Sequence, residues 1–155
     1  MITKGNFLSF MADNPPLCEA EDLQTLAPVV NAPIRHHVFV CTGKSCSVAD
    51  SEAVKSQFER DLIERGLLFG KAKKGKNPKG SIIVTECGSV GFCAIGAAVM
   101  VYPDGVWYAQ VKASDVSEIV EEHLLNGRVV KRLALMNVPS VGELEAAPST
   151  TDWDA

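Results

Sequence analysis

The sequence predicts a small α/β sandwich: a mixed four-stranded sheet with two main helices, in the order β-α-β-β-β-α. Three observations carry this. Short apolar runs of strand length punctuate the middle of the chain. Two longer stretches repeat apolar residues at helical spacing. Glycine and proline fall between these segments and mark the turns. The chain has 155 residues, enough for one ordinary domain with a core.

The first element, "HVFVC", ends at Cys41 and has the pattern of a short buried strand. "DSEAVKSQFERDLIERG", 50–66, follows as a helix, with Val54, Phe58 and Leu62 forming one apolar stripe. Asp50 or Ser51 suits its start and Gly66 its end. "SIIVTE", 81–86, is a second strand. "AAVMVYPDGVWYAQV", 97–111, is two strands around a "PDG" turn, where Pro presets φ and Gly tolerates positive φ. Trp107 and Tyr108 are neighbours on the later strand, so one faces the core and the other the surface. "SDVSEIVEEHLLNG", 114–127, closes the set as a helix. Asp115 and Glu118 have capping-box-like spacing, and Gly127 stops it. Val116, Ile119, Val120, His123 and Leu124 share one face. A strand–helix–strand opening, a hairpin and a closing helix fit a sandwich of thioredoxin type, with a right-handed crossover.

Around this domain, 35–135, the ends differ in character. Residues 1–34 carry Pro15, Pro16, Pro28 and Pro33 and read as a partly extended arm, whose pieces "NFLSFM" and "LQTLAPVV" can pack on the body. Residues 136–155 read as an acidic flexible tail. The net charge of −4 argues against a general nucleic-acid partner. No apolar run approaches the ~20 residues a membrane span needs. The N-terminus lacks a secretory pattern, which points to the reducing cytoplasm. There, clustered cysteines suggest metal or redox chemistry.

Four cysteines form two pairs, Cys41-x4-Cys46 and Cys87-x5-Cys93, in loops that also hold Gly43, Gly88, Gly91 and Gly96. Cys41 ends the first strand and Cys87 ends the second. In a parallel crossover those ends can lie side by side, which is why the distant pairs are expected to converge. Four thiolates can hold an iron–sulfur cluster, whose negative charge gains from backbone N–H groups that glycine lets approach. They can also hold zinc, although an x5 spacing makes a poor knuckle. Spacing alone leaves both open. A C-x-x-C dithiol is absent. The fifth cysteine, Cys18, stands in a proline-rich segment and reads as an incidental thiol.

"HHVFVCTGKSC", 36–46, and "GAAVMVYPDGVWYAQVKASDVSEIVEEHLLNGRVVKRL", 96–133, together resemble the thioredoxin-like [2Fe–2S] ferredoxins. That family includes the clostridial-type two-iron ferredoxin and Shethna-type protein I, and a related domain forms the two-iron subunit of respiratory complex I. The resemblance spans about 36–133 and implies a one-electron carrier, not an enzyme. It implies one [2Fe–2S] cluster per chain near the surface, often in a homodimer. It carries Cys41, Cys46 and Cys93 over as ligands, with Ala97 where the family's C-x-x-G-P frame has proline. The family's C-x3-C would put the remaining cysteine at position 89, where this chain has Ser89. Cys87 lies two residues earlier and is the expected ligand, because thiolate is softer and more acidic than an alcohol. A redox partner from a hydrogenase, nitrogen-fixation or dehydrogenase system is implied. The alternatives are a cluster-bearing subunit or stabilising factor of a larger redox complex, docked through 1–34 and 136–155, and a four-cysteine zinc interaction domain.

Other residues invite weaker readings. His36 and His37 precede the strand and are not interleaved with cysteines as in a Rieske centre, so a structural role is expected. His123 is expected to pack. "GKAKKGKNPKG", 70–80, holds five lysines and reads as a solvated insertion, a docking patch, or a source of positive potential near the cluster. Glu86, beside Cys87, adds negative charge that disfavours a reduced site.

Overall fold

The computed structural model describes residues 27–137, so most of the expected arm, the tail from Val138 and Cys18 lie outside the described residues. Strand β1, His36–Cys41, is the hub. On one side it pairs in parallel with β2, Ile82–Cys87, in unbroken register from His36↔Ile82 to Cys41↔Cys87. On the other it pairs antiparallel with β3, Val99–Tyr102, which turns back into β4, Val106–Tyr108. The short helix α1, Lys44–Val48, and the long helix α2, Ser51–Glu64, connect β1 to β2. The chain then returns through α3, Val116–Glu118, which continues in π-helical form over Ile119–Leu125.

The apolar stripe of α2 does what its spacing predicts: Val54, Phe58 and Leu62 are fully buried. They meet Val38, Val40, Ile82, Val99, Val101 and Tyr108 from one sheet face, and Val116, Ile119 and Val120 from the closing helix. Each such buried side chain contributes about 1.5–3 kcal/mol of transfer free energy. Tyr108 faces this core and Trp107 the opposite sheet face, where it is half-buried.

Four details depart from expectation. The described residues form a five-stranded sheet, in the order β2-β1-β3-β4-β5, not a four-stranded one. The addition is β5, Ala134–Asn137, antiparallel to β4 with a bulge at Trp107/Tyr108. Four residues are too short for alternation to signal a strand, and pairing with the open edge of β4 makes it one. Second, Asp115 does not cap the closing helix. Its Oδ2 accepts the Lys112 N–H at 2.8 Å and closes the turn before it, while Glu118 binds Arg132. Third, Asp50 occupies the N-cap of α2 in the left-handed region (φ 61°), with no side-chain capping bond. Its carbonyl accepts from Ala53 and Val54, and the Ser51 hydroxyl is buried without a partner among the described residues. Last, the lysine-rich segment is anchored. Asn77 N–H donates to Leu68 O at 2.8 Å, Asn77 Nδ2 to Gly66 O at 2.7 Å, and Lys76 pairs with Glu59 at 3.3 Å.

Candidate metal centre

The parallel register brings Cys41 and Cys87 side by side at the ends of β1 and β2. The backbone fixes them there. Cys41 N–H donates to Ala98 O at 3.0 Å, and Thr42 N–H donates to Cys87 O at 2.9 Å. Past Gly43 the chain coils into α1. Ser47 N–H bonds Gly43 O at 2.9 Å, and Ser47 Oγ donates to Thr42 O at 3.0 Å. This tight coil turns Cys46 inward. Cys41 and Cys46 are both fully buried and pack with Ala98, Cys87, Val90 and Phe92 in a small apolar group apart from the main core.

The segment 88–98 joins β2 to β3. Since β1 lies between those strands, the segment passes over the end of β1, where Cys41 sits. Cys93 opens the turn Cys93–Ile95, which packs against α1. Gly96 is required by space: a Cβ there would stand 2.7 Å from Cys46 Sγ and 3.1 Å from Cys46 Cα. At Gly43 a Cβ would meet Ser89 N at 3.3 Å and Cys41 Sγ at 3.7 Å. Glycine therefore lets both loops close onto the thiols.

Burial, and then the neighbouring Cys41, push the Cys87 thiol up from its ordinary pKa. Several buried thiolates repel one another, and a bound metal relieves that by replacing their protons. Among the described residues no three His, Cys, Asp or Glu side chains group as a single ion would need. Ser89 Oγ accepts the Gly91 N–H at 3.4 Å. Glu86 is largely exposed and pairs with Lys55 at 3.5 Å, so much of its charge is solvated or offset.

The histidines lie at the other end of the sheet, five residues and roughly 16 Å along β1 from Cys41 at the usual strand rise. His37 Nε2 lies 2.7 Å from Thr85 Oγ1, and its ring stacks on Phe39. His36 and His123 both reach Asp104 Oδ2, at 3.2 and 2.9 Å. His123 Nδ1 is 2.8 Å from the Tyr108 hydroxyl, which accepts the Val130 N–H at 3.1 Å. One proton assignment satisfies the chain of bonds: His123 is neutral, donates through Nε2 to Asp104 and accepts from Tyr108. Burial lowers its pKa in keeping with this, against the smaller opposite pull of Asp104. Sequence reasoning missed this network. Its signal was a histidine in an otherwise apolar helix stripe, with a tyrosine on a core-facing strand position.

The lysine segment also lies at that remote end, because it leads into Ile82, the far end of β2 from Cys87. That placement weighs against reading its lysines as a source of potential near the cluster. Ile82 stands five residues, roughly 16 Å, along β2 from Cys87, about twice the ~8 Å Debye length at physiological salt, while Lys76 alone lies on an ion-pair chain through Glu59 and Lys55 to Glu86.

A thioredoxin-type sheet with cysteine-bearing loops closing over one end is an arrangement suited to thiol-based redox or metal chemistry. No family model matches the chain. The two-iron ferredoxin of Clostridium pasteurianum is 39% identical over 101 residues, spanning 65% of this chain and 96% of that protein. The two-iron ferredoxin of Aquifex aeolicus is 37% identical over 107 residues, spanning 64% and 87%. The solved structure of a thioredoxin-like [2Fe–2S] ferredoxin from Aquifex aeolicus superposes with a TM-score of 0.56 at 32% identity. That match covers 70% of this chain and 97% of the neighbour. The chain belongs to the thioredoxin-like [2Fe–2S] ferredoxins, a family of electron carriers. Among the described residues no helix is long and apolar enough to cross a membrane.

Proposed function

We propose that Cys41, Cys46, Cys87 and Cys93 hold the [2Fe–2S] cluster of this one-electron carrier, one cluster per chain. The observation that carries the ligand set is the side-by-side register of Cys41 and Cys87, with Cys46 turned in beneath Gly96. The donor chemistry fits, since soft thiolates suit iron–sulfur centres. When bound, the cluster takes up and gives back a single electron. The chain's own contribution is to hold the thiols in place and to exclude water with Val90, Phe92 and Ala98. Cys87 is favoured over Ser89 as third ligand because it stands in register beside Cys41. Relatives do not favour the zinc reading.

The further reading is a cytoplasmic homodimer that exchanges electrons with a partner oxidoreductase of a hydrogenase, nitrogen-fixation or dehydrogenase system. A reducing compartment, which keeps thiols available for iron, supports the location. The deciding experiment is an assay of iron, zinc and acid-labile sulfide on anaerobically purified protein, with EPR of the reduced state. About two irons and two sulfides per chain are expected for the cluster proposed. Zinc without iron would reject it. Sedimentation of the loaded protein checks the dimer.

A further inference from the structure

Trp107 takes no part in the thiol group, yet it touches the loop that covers it. The segment 88–98 must span from β2 to β3 across the end of β1. Its later half is pinned by backbone bonds: Gln110 N–H donates to Ile95 O at 2.9 Å, and Val111 N–H to Ala97 O at 3.1 Å. Its first half contains Gly88 and Gly91, the latter at φ 88°, and added Cβ atoms at both would meet open space. Phe92 is the single aromatic residue of this segment. It packs against the Cys41, Cys46 and Ala98 group, and it also meets the Trp107 ring edge-on, with centroids 4.9 Å apart at 65°. Trp107 itself sits in a sheet, registered with Met100 on β3 and Met136 on β5. The glycine-bearing half of the cover is thus braced from β4, a strand that supplies none of the proposed ligands.

We propose that Trp107 is a positioning residue for electron transfer. Through Phe92 it holds the 88–92 loop down over the thiols, limits the approach of water and so sets the reduction potential of the bound cluster. The inference rests on the ligand assignment above. The sign follows from charge. A four-thiolate diiron cluster is anionic and becomes more so on reduction, and water stabilises the more highly charged state. A loosened cover therefore raises the potential and opens the cluster to attack.

The test uses the full-length loaded protein under anaerobic conditions and compares Trp107→Ala, Trp107→Phe and Phe92→Leu with the unchanged chain. Iron and sulfide content, midpoint potential by redox titration, and the rate of bleaching by an iron chelator are read for each. Trp107→Ala is expected to keep the iron count, shift the potential to more positive values and bleach several-fold faster. Trp107→Phe, which retains a ring for Phe92 to meet, is expected to restore most of both. Phe92→Leu leaves the sheet untouched and is expected to shift both in the same direction as Trp107→Ala; if the alanine variant does not fold, Trp107→Leu, which keeps an apolar side chain but no ring, takes its place and decides the matter. An unmoved potential and bleaching rate in Phe92→Leu, or an equal shift in Trp107→Phe and Trp107→Ala, overturns the proposal. Failure of the ligand assignment reads differently: it appears as a wrong iron and sulfide count in the unchanged chain, before any potential is compared.

Discussion

Cys41 and Cys87 are register partners at the ends of two neighbouring parallel strands, and their sulfurs belong to one small buried group. Neighbouring positions in register present their side chains to the same sheet face. A reagent that binds one of these thiols therefore meets the other. Cys87→Ser is expected to remove most of the visible absorbance or change its spectrum strongly, while Ser89→Ala leaves it intact. Absorbance and iron content of the two variants, purified side by side, check this, and the reverse pattern would reject Cys87 as the third ligand.

Gly96→Ala is expected to destabilise the protein and impair cluster loading. The added methyl would sit 2.7 Å from Cys46 Sγ and 3.1 Å from Cys46 Cα, so backbone as well as side chain must move. Overpacking of this kind costs about 1–3 kcal/mol. Urea unfolding together with iron per chain measures it. Gly88→Ala meets open space and serves as the control.

Acid should weaken the end of the sheet remote from the thiols. Burial holds the His123 pKa below its ordinary value, and the groups facing it are Asp104, His36 and Tyr108. Because the folded value is lowered, the unfolded chain takes the proton first as pH falls. The stabilisation is full above the ordinary histidine value of about 6.5 and is lost below it. Between about pH 7.5 and about pH 5.5 the urea midpoint should fall further for the unchanged chain than for His123→Gln. Burial lowers the His37 pKa in the same sense, so the difference between the two proteins isolates His123. Tyr108→Phe strips a partner from Val130 N–H and from His123, at about 1–3 kcal/mol.

Neutralising Lys71, Lys73 and Lys74 to glutamine should leave the midpoint potential unchanged, because their segment leads into Ile82, roughly 16 Å along β2 from Cys87. Redox titration of the triple variant at physiological salt checks this. A clear shift would mean that the loop comes much closer to the cluster than its anchor at Asn77 allows.

Much of the fold was legible because it repeats at a fixed period. Val54, Phe58 and Leu62 announced α2, and the apolar run ending at Cys41 announced β1. The meeting of Cys41 with Cys87 followed from strand ends and a parallel crossover. What stayed hidden was short or long-range. Five residues in α1 and four in β5 are fewer than a period needs, and only their contacts with Gly43 and with β4 shape them. The Asp104–His123–Tyr108 network joins residues far apart in sequence, and its polar members sit in apolar patterns that hide them. The family pattern puts a cysteine at position 89, where this chain has Ser89. The sequence already favoured Cys87 over Ser89 on donor chemistry, and the register that sets Cys87 beside Cys41 agrees with that choice.

The pairing of β1 with β2 also dictates an order of events during synthesis. Cys41 and Cys46 emerge from the ribosome long before Cys87, and no local hairpin can bring the early pair to the late one. If these are the ligands, the crossover must be threaded and the strand after it laid down before the nascent chain offers iron more than half of them. With the proposed ligand set, cofactor insertion into this chain would be a late step, and iron content would record how many molecules completed that crossover.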